Sequence, residues 1–339
     1  MTGNTGSPIV TLTPAPTLDR TYFVHNLQSG GVNRADGVAE ELAGKGINVS
    51  RGLHLAGIAA PGVVPIGNAD PGVLERTGSA FMLLPLWVDG TLRVSTTIVE
   101  KDGPTTKVNE SPRPLSEEDW NAVIDLTEQT VKDNGAKWLV VAGALPINKA
   151  TGKTVDLEPI FNRMSALGVR VALDTSGPAL SHWARTGLAS IIKPNAEELA
   201  SAVGRTLYTV GDVIDAAREL CDHGIDVVLA SLGADGMIAV TKTKQWAART
   251  TPVKVINTVG AGDATLAGFL HAVAKNPVEP GVDYGVDFNV PVGVSAAVQW
   301  GAVAVTQPSS GLENLEGMPE SFLTENPDRD QALEEPAVG

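Results

Sequence analysis

A single cysteine in 339 residues, Cys221, leaves no partner for an intramolecular disulfide and no set of thiolates for a zinc site. Basic residues are scarce too: 25 Lys and Arg stand against 39 Asp and Glu, for a net charge of −14. Nucleic-acid binding rests on neutralising phosphates, so an acidic chain is not expected to take nucleic acid as a partner. Small anionic ligands are not excluded, because a few local cations outweigh the global field at close range. No apolar run approaches the ~18 residues of a membrane span. Residues 1–7 lack the basic start and apolar core of a signal peptide. The five histidines are scattered, with no His-Glu-x-x-His pair. These absences together predict a cytoplasmic protein that meets neither membrane nor nucleic acid.

Two phosphate-binding signatures are also missing. The only Gly-Lys-Thr, Gly152-Lys153-Thr154, has Ile147 where a P-loop needs its first glycine. A dinucleotide fingerprint would need Gly or Ala where the chain has Thr265. What is present is Asn257-Thr258-Val259-Gly260-Ala261-Gly262-Asp263. Residues 253–256 read as a short β-branched strand, and Leu266, Phe269, Leu270 and Val273 recur at helical spacing after it. A glycine turn opening a helix offers unpaired N–H groups and the positive end of the helix dipole, which suits an anion. Gly260 and Gly262 carry no Cβ to hold a phosphate away, and Asp263 is a carboxylate set where the phosphoryl group would lie. Asp is equally a favoured N-cap and Gly-Ala-Gly ordinary punctuation, so these residues alone leave both readings open.

Along the chain, residues 8–12 read as a first strand, interrupted by Pro14-Ala15-Pro16 and followed by Asp19-Arg20. Gly44-Lys45-Gly46-Ile47-Asn48 opens a helix, a second corner hospitable to an anion or a polyol. Residues 84–109 break the rhythm and read as an antiparallel meander, with turns at Asp89-Gly90 and Asp102-Gly103-Pro104. Alternation puts Arg93, Ser95 and Thr97 on one face, which makes this sheet a candidate lid. From the capping box at Ser116 onward strands and helices alternate, predicting an α/β fold. Its mostly parallel central sheet would be covered by helices on both faces, with the site at the strands' carboxyl ends. Residues 319–339 are acidic and proline-punctuated and read as a flexible tail.

Taken in order, several of these stretches resemble the ribokinase-like carbohydrate kinases, the phosphofructokinase B (PfkB) family. They are Thr11-Leu12-Thr13-Pro14 with Leu18-Asp19-Arg20, Ala43-Gly44-Lys45-Gly46-Ile47-Asn48-Val49, Arg93, Lys193-Pro194-Asn195 with Glu198, Ser231-Leu232-Gly233-Ala234-Asp235-Gly236, and Thr258-Val259-Gly260-Ala261-Gly262-Asp263. The chain is most similar to the branch holding 1-phosphofructokinase and tagatose-6-phosphate kinase. The resemblance implies a three-layer ribokinase-like domain over residues 8–318, with lid strands from about 10–45 and 84–110 inserted in it. It implies ATP and Mg²⁺ as cofactors, a sugar or sugar phosphate as substrate, and a homodimer formed through the lid. Asp263 would be the general base, and the amides of Gly260, Ala261 and Gly262 the anion hole. Asp19, Gly44, Lys45, Asn48 and Arg93 would face the sugar. Lys193, Asn195, Ser231 and Gly233 would face the nucleotide, and Asn195 with Glu198 would hold Mg²⁺, mostly through water.

The chain departs from that pattern on the substrate side. Thr13 stands where the family usually has Asn, and Ala144 replaces a Ser. Ser95 and Thr97 stand where the closest branch continues with Asn and Lys, with Arg34 and Arg113 as alternative cations. The expected reaction is phosphorylation of a keto-hexose hydroxymethyl group, fructose 1-phosphate to fructose 1,6-bisphosphate first. Tagatose 6-phosphate, another anionic hexose, an unphosphorylated sugar or a nucleoside are the alternatives, and a non-catalytic binding protein lies further off.

Overall fold

Short, wholly buried apolar strands alternate with amphipathic helices, which fixes a layered arrangement. The chain begins with β1 (Ile9–Leu12), β2 (Thr17–Val24), β3 (Gly37–Ala43), α1 (Lys45–Leu55), β4 (Gly62–Gly67), α2 (Val73–Arg76) and β5 (Leu83–Val88). It continues with β6 (Arg93–Glu100), β7 (Thr105–Asn109), α3 (Glu117–Asn134), β8 (Trp138–Ala142), α4 (Glu158–Ala166) and β9 (Arg170–Asp174). Next come α5 (Gly177–Ala184), β10 (Ile191–Ile192), α6 (Ala196–Val203), β11 (Leu207–Thr209), α7 (Val210–Asp222) and β12 (Val227–Ser231). The remainder is β13 (Met237–Val240), β14 (Gln245–Thr250), α8 (Ala261–Lys275), α9 (Val290–Val305), β15 (Ser321–Glu325) and β16 (Ala332–Ala337). This computed structural model describes residues 6–101, 103–309 and 311–339; residues 1–5, Asp102 of the turn named above and Ser310 lie outside the described residues.

The central sheet has ten strands in the order β15-β14-β13-β12-β10-β9-β8-β1-β4-β5. From β12 to β5 every pairing is parallel, and β13, β14 and β15 add antiparallel strands at the other end. β1 and β8 are buried at every position, which is why neither shows a polar alternation in sequence. Val10 and Leu12 point to the cluster made with α3 to α7, and Ile9 points to the cluster made with α1, α8 and α9. Phe269 on α8 is fully buried against α9, and each such side chain contributes roughly 1.5–3 kcal/mol. The helix starts are set locally. α3 has both bonds of its Ser116–Asp119 capping box, and α7 has the same box at Thr209 and Asp212. Among the described residues no helix is long and apolar enough to cross a membrane.

A separate four-stranded sheet, β3-β2-β6-β7, forms the lid. β2 runs parallel to β6, while β3 and the β6–β7 hairpin are antiparallel. Its base rests on a small cluster in which Leu18 and Leu42 meet Ile47, Val64, Ile66, Val73 and Leu74.

Four expectations change. Residues 84–109 are not one meander: β5 pairs in parallel with β4 and belongs to the central sheet, so the lid is built from residues 17–43 and 93–109. Helix α2 returns the chain from β4 in the parallel sense, and such a crossover leaves no mark in the strand composition. β1, inside the segment of about 10–45, likewise lies in the central sheet. Residues 253–256 form no strand, and Val255 and Ile256 are exposed. Residues 319–339 are not a free tail: β15 extends the central sheet beside β14, and β16 pairs with β11. Leu333 and Ala337 are buried there while Glu334, Glu335 and Pro336 face out, so two apolar side chains anchor a stretch whose average composition is polar.

Candidate active site

Parallel strands end together, and their last residues converge. Asp174 closes β9, Lys193 follows β10, and Ser231 closes β12. Between this edge and the lid lies a cleft of about 470 Å³, lined by Asp19, Gly44, Lys45, Asn48, Asp174, Lys193, Asn195, Glu198, Ser231, Gly260, Gly262 and Asp263 among others.

The segment before α8 is pinned by Asn257, whose side-chain amide donates to the carbonyls of Pro308 at 3.0 Å and Ser309 at 3.2 Å, while its oxygen accepts from Val259 N–H at 3.0 Å. Gly260 caps the helix at φ 81°, a left-handed conformation that costs other residues ~1–2 kcal/mol. The N–H groups of Gly260, Gly262 and Asp263 find no acceptor among the described residues, whereas Ala261 N–H turns back to Thr258 O at 3.4 Å. Of the three residues whose amides the sequence reading groups here, Gly260 and Gly262 line the cleft with free N–H groups, and Ala261 does not line it. A Cβ at Gly262 would lie 3.0 Å from Lys193 Nζ, so an ammonium stands directly over this nest of amides.

Asp263 lies in the first turn of α8, 6% exposed, and its Oδ2 accepts from Asn48 Nδ2 at 2.8 Å. Burial pushes its carboxyl up to about 7, aided by the nearby charge of Asp174 and opposed by Asn48, Lys45 and Lys193. Asp174, itself 1% exposed, holds Lys45 Nζ at 2.7 Å on one oxygen and Lys193 Nζ at 3.2 Å on the other. Burial alone would raise Asp174, but the Lys193 and Lys45 ammoniums hold it below the ordinary carboxylate range. Gly44 is forced: at φ 147° its Cβ would come within 2.6 Å of Thr13 Cγ2.

On the lid, Asp19 sits opposite Glu41 on β3 and Ser95 on β6. Burial pushes its carboxyl up to about 6, Glu41 adds to this, and Arg93 and Lys107 oppose it. Asp19 Oδ1 and Asn48 Oδ1 are buried without a hydrogen-bond donor among the described residues. Arg93 does not line the cleft: it donates to the carbonyls of Ala15 at 2.8 Å, Pro16 at 3.2 Å and Glu110 at 3.2 Å, which fixes the lid's root. Arg113 is paired with Glu110 at 3.1 Å, and neither it nor Arg34 lines the cleft.

On the other side, Asn195 and Glu198 form the capping box of α6, with Glu198 Oε2 accepting from Asn195 N–H at 2.9 Å. Both line the cleft. Gly233 instead lines an adjoining cavity of about 370 Å³ that shares Asn195 and Ser231 with the cleft and is walled by Glu334 and Glu335 of β16. Sequence reasoning missed Thr17, Lys107, Asn109 and Asp174 as cleft residues. The alternation of β7 was the available signal for Lys107 and Asn109.

The sequence matches the model described as pfkB family carbohydrate kinase over residues 15–311. The chain belongs to this family of carbohydrate kinases. Its relatives include the 1-phosphofructokinase of Haloferax volcanii, 35% identical over 269 residues that cover 78% of this chain and 83% of that protein. The 1-phosphofructokinase of Escherichia coli is 30% identical over 276 residues, covering 78% and 84%. The phosphofructokinase-2 of Escherichia coli, solved with fructose 6-phosphate, superposes with a TM-score of 0.72 at 26% identity, covering 88% of this chain and 94% of that one. This pfkB kinase thus has the expected ribokinase-like α/β fold, and its family membership makes it a sugar kinase with ATP as phosphoryl donor.

Proposed function

We propose that this kinase transfers the γ-phosphoryl group of ATP to a primary hydroxyl of a phosphorylated keto-hexose, with fructose 1-phosphate as substrate and fructose 1,6-bisphosphate as product. The observation that carries the reading is Asp263: a buried carboxylate pushed up to about 7, beside free helix-start amides and the Lys193 ammonium, at the floor of a polar cleft. A base poised near neutrality suits proton removal from an alcohol. Asp263 takes the hydroxyl proton as the new O–P bond forms, the bond from the γ-phosphorus to the bridging oxygen breaks, and ADP leaves. The N–H groups of Gly262 and Asp263 and the Lys193 ammonium then hold charge on the transferring phosphoryl group, the larger part of catalysis in this chemistry.

Asp19 and Asn48 present unpartnered oxygens to sugar hydroxyls, and Asp174 keeps both lysines in place. Among the described residues no three His, Cys, Asp or Glu side chains gather as a complete metal site. The Glu198 carboxylate and the Asn195 amide stand together in the cleft, a pair of oxygen donors that fits Mg²⁺ carried on the nucleotide and held through its waters. Mg²⁺ would neutralise phosphate charge there. The lid's outer face presents Val38, 56% exposed, and Val108, 61% exposed, alongside Tyr22 and Ile98, and its β3 and β7 edges are unpaired. A second copy would cover them, giving a homodimer, and the buried thiol of Cys221 suits a cytoplasmic setting.

The test is ADP release across fructose 1-phosphate, fructose 6-phosphate, tagatose 6-phosphate, fructose and a nucleoside, with wild type and Asp263→Asn. Fructose 1-phosphate should give the highest kcat/KM, and the variant should lose ~100-fold or more in kcat while ATP still binds. Near-normal turnover of Asp263→Asn would remove Asp263 as the base, and preference for a neutral sugar would remove the substrate.

A further inference from the structure

Fructose 1-phosphate carries its phosphate on C1 and its acceptor hydroxyl on C6, at opposite ends of one small molecule. With the acceptor at Asp263 on the cleft floor, a dianion must be met at the far end, toward the lid. The cations near the cleft are mostly committed. Lys45 and Lys193 share Asp174, Arg93 spends its guanidinium on three backbone carbonyls, and Arg113 is paired with Glu110.

Lys107 is different. It lies on β7, where the register places it directly opposite Thr97 of β6, which in turn faces Thr21 of β2. The next row inward is Asn109, Ser95 and Asp19. Alternation puts both rows on the cleft face, and Ser95, Thr97, Lys107, Asn109 and Asp19 all line the cleft. The Lys107 ammonium makes no ion pair or hydrogen bond among the described residues, and its charge still reaches Asp19, whose carboxyl it acts to lower. An uncommitted ammonium next to a carboxylate and several hydroxyl and amide groups on a single sheet face can read both a phosphate and the hydroxyl beside it.

We infer that Lys107 is the lid residue that binds the phosphate of the sugar substrate and so sets the preference for a phosphorylated over a neutral ketose, an inference that rests on the substrate reading above. The role depends on the charge projecting from this face rather than on one backbone position. A lysine at position 97, one strand over on the same face, would deliver its ammonium to nearly the same place.

Steady-state kinetics test this with Lys107→Thr and with Thr97→Lys/Lys107→Thr, varying fructose 1-phosphate, fructose and ATP in turn. Losing a charge-assisted contact should raise KM for fructose 1-phosphate by ~10- to 100-fold. KM values for fructose and ATP should stay within ~2-fold, since neither would use the contact. The double variant should recover most of the lost affinity. If wild type uses fructose 1-phosphate and Lys107→Thr leaves its KM unchanged, the inference fails while the substrate reading stands. If all three KM values rise together, Lys107 supports the lid's structure rather than the phosphate, and the inference fails again. A wild type with no fructose 1-phosphate activity overturns the substrate reading and the inference with it.

Discussion

Replacing Asp263 with Asn should make the protein more stable while disabling it, and the gain should depend on pH in one direction. In the folded chain burial holds this carboxyl at about 7, against an ordinary value of 3.8. Between those values the folded state keeps a proton that the unfolded chain has lost, so stability falls as pH rises from about 4 to about 7 and stays reduced above. At 1.36 kcal/mol per pKa unit, roughly three units set a ceiling of ~4 kcal/mol for holding the ionised group. Loss of the charge-assisted bond from Asn48 trims this, leaving roughly 2–4 kcal/mol at pH 8 and little at pH 4.5. Unfolding entropy of ~2.1 cal/mol/K per residue over the whole chain converts that into a Tm gain of roughly 3–6 °C. Melting of both proteins at the two pH values, without substrate, reads the difference. An Asp263→Asn protein no more stable at pH 8 than wild type, or stabilised equally at both pH values, would show that Asp263 is not a charge held in a desolvated site, and the poised-base argument would go with it.

For wild type, kcat/KM for the sugar should rise with pH through about 7 as Asp263 loses its proton, measured at saturating ATP. Asp174→Asn should shift that limb to lower pH, because the Asp174 charge helps to hold the Asp263 proton, and should also cost ~100-fold or more in kcat/KM by freeing Lys45 and Lys193. An unmoved limb would separate the two carboxylates. Ending the chain at Asn326 removes β16 and uncovers its partners on β11 and α6; we expect a loss of ~2–4 kcal/mol in urea unfolding, and an unchanged midpoint would mean β16 adds nothing. Light scattering after size exclusion should give twice the chain mass of 35.2 kDa, and Val38→Glu/Val108→Glu should give a monomer.

The helix starts needed no tertiary context. Ser116 with Asp119, Asn195 with Glu198 and Thr209 with Asp212 are reciprocal bonds between residues three apart, so their pattern is written in the chain. The starts of α8 and α1 have no such side-chain cap; there the glycines Gly260, Gly262 and Gly44 are the mark legible in the chain. Where reading failed, the deciding contact was distant. β5 resembled the lid strands in composition, and only its pairing with β4 puts it in the central sheet. Residues 319–339 resembled a tail because polar residues outnumber the two apolar ones that are buried where β16 meets β11 and α6. Arg93 stood on the expected face, yet the carbonyls of Ala15 and Pro16 claim its guanidinium.

By itself the sequence determined the family, the alternation of strand and helix, and the short segments that deliver Asp263, Lys45, Asn195 and Ser231 to one edge, because each depends on bonds within a few residues or on periodicity. The tertiary structure alone decided that Asp174 would join two lysines from distant parts of the chain, that Asp263 would meet Asn48, and that Lys107 would face Thr97 across a strand. Desolvation and charge coupling are properties of such assembled neighbours, and those two effects give the buried carboxylate its poise.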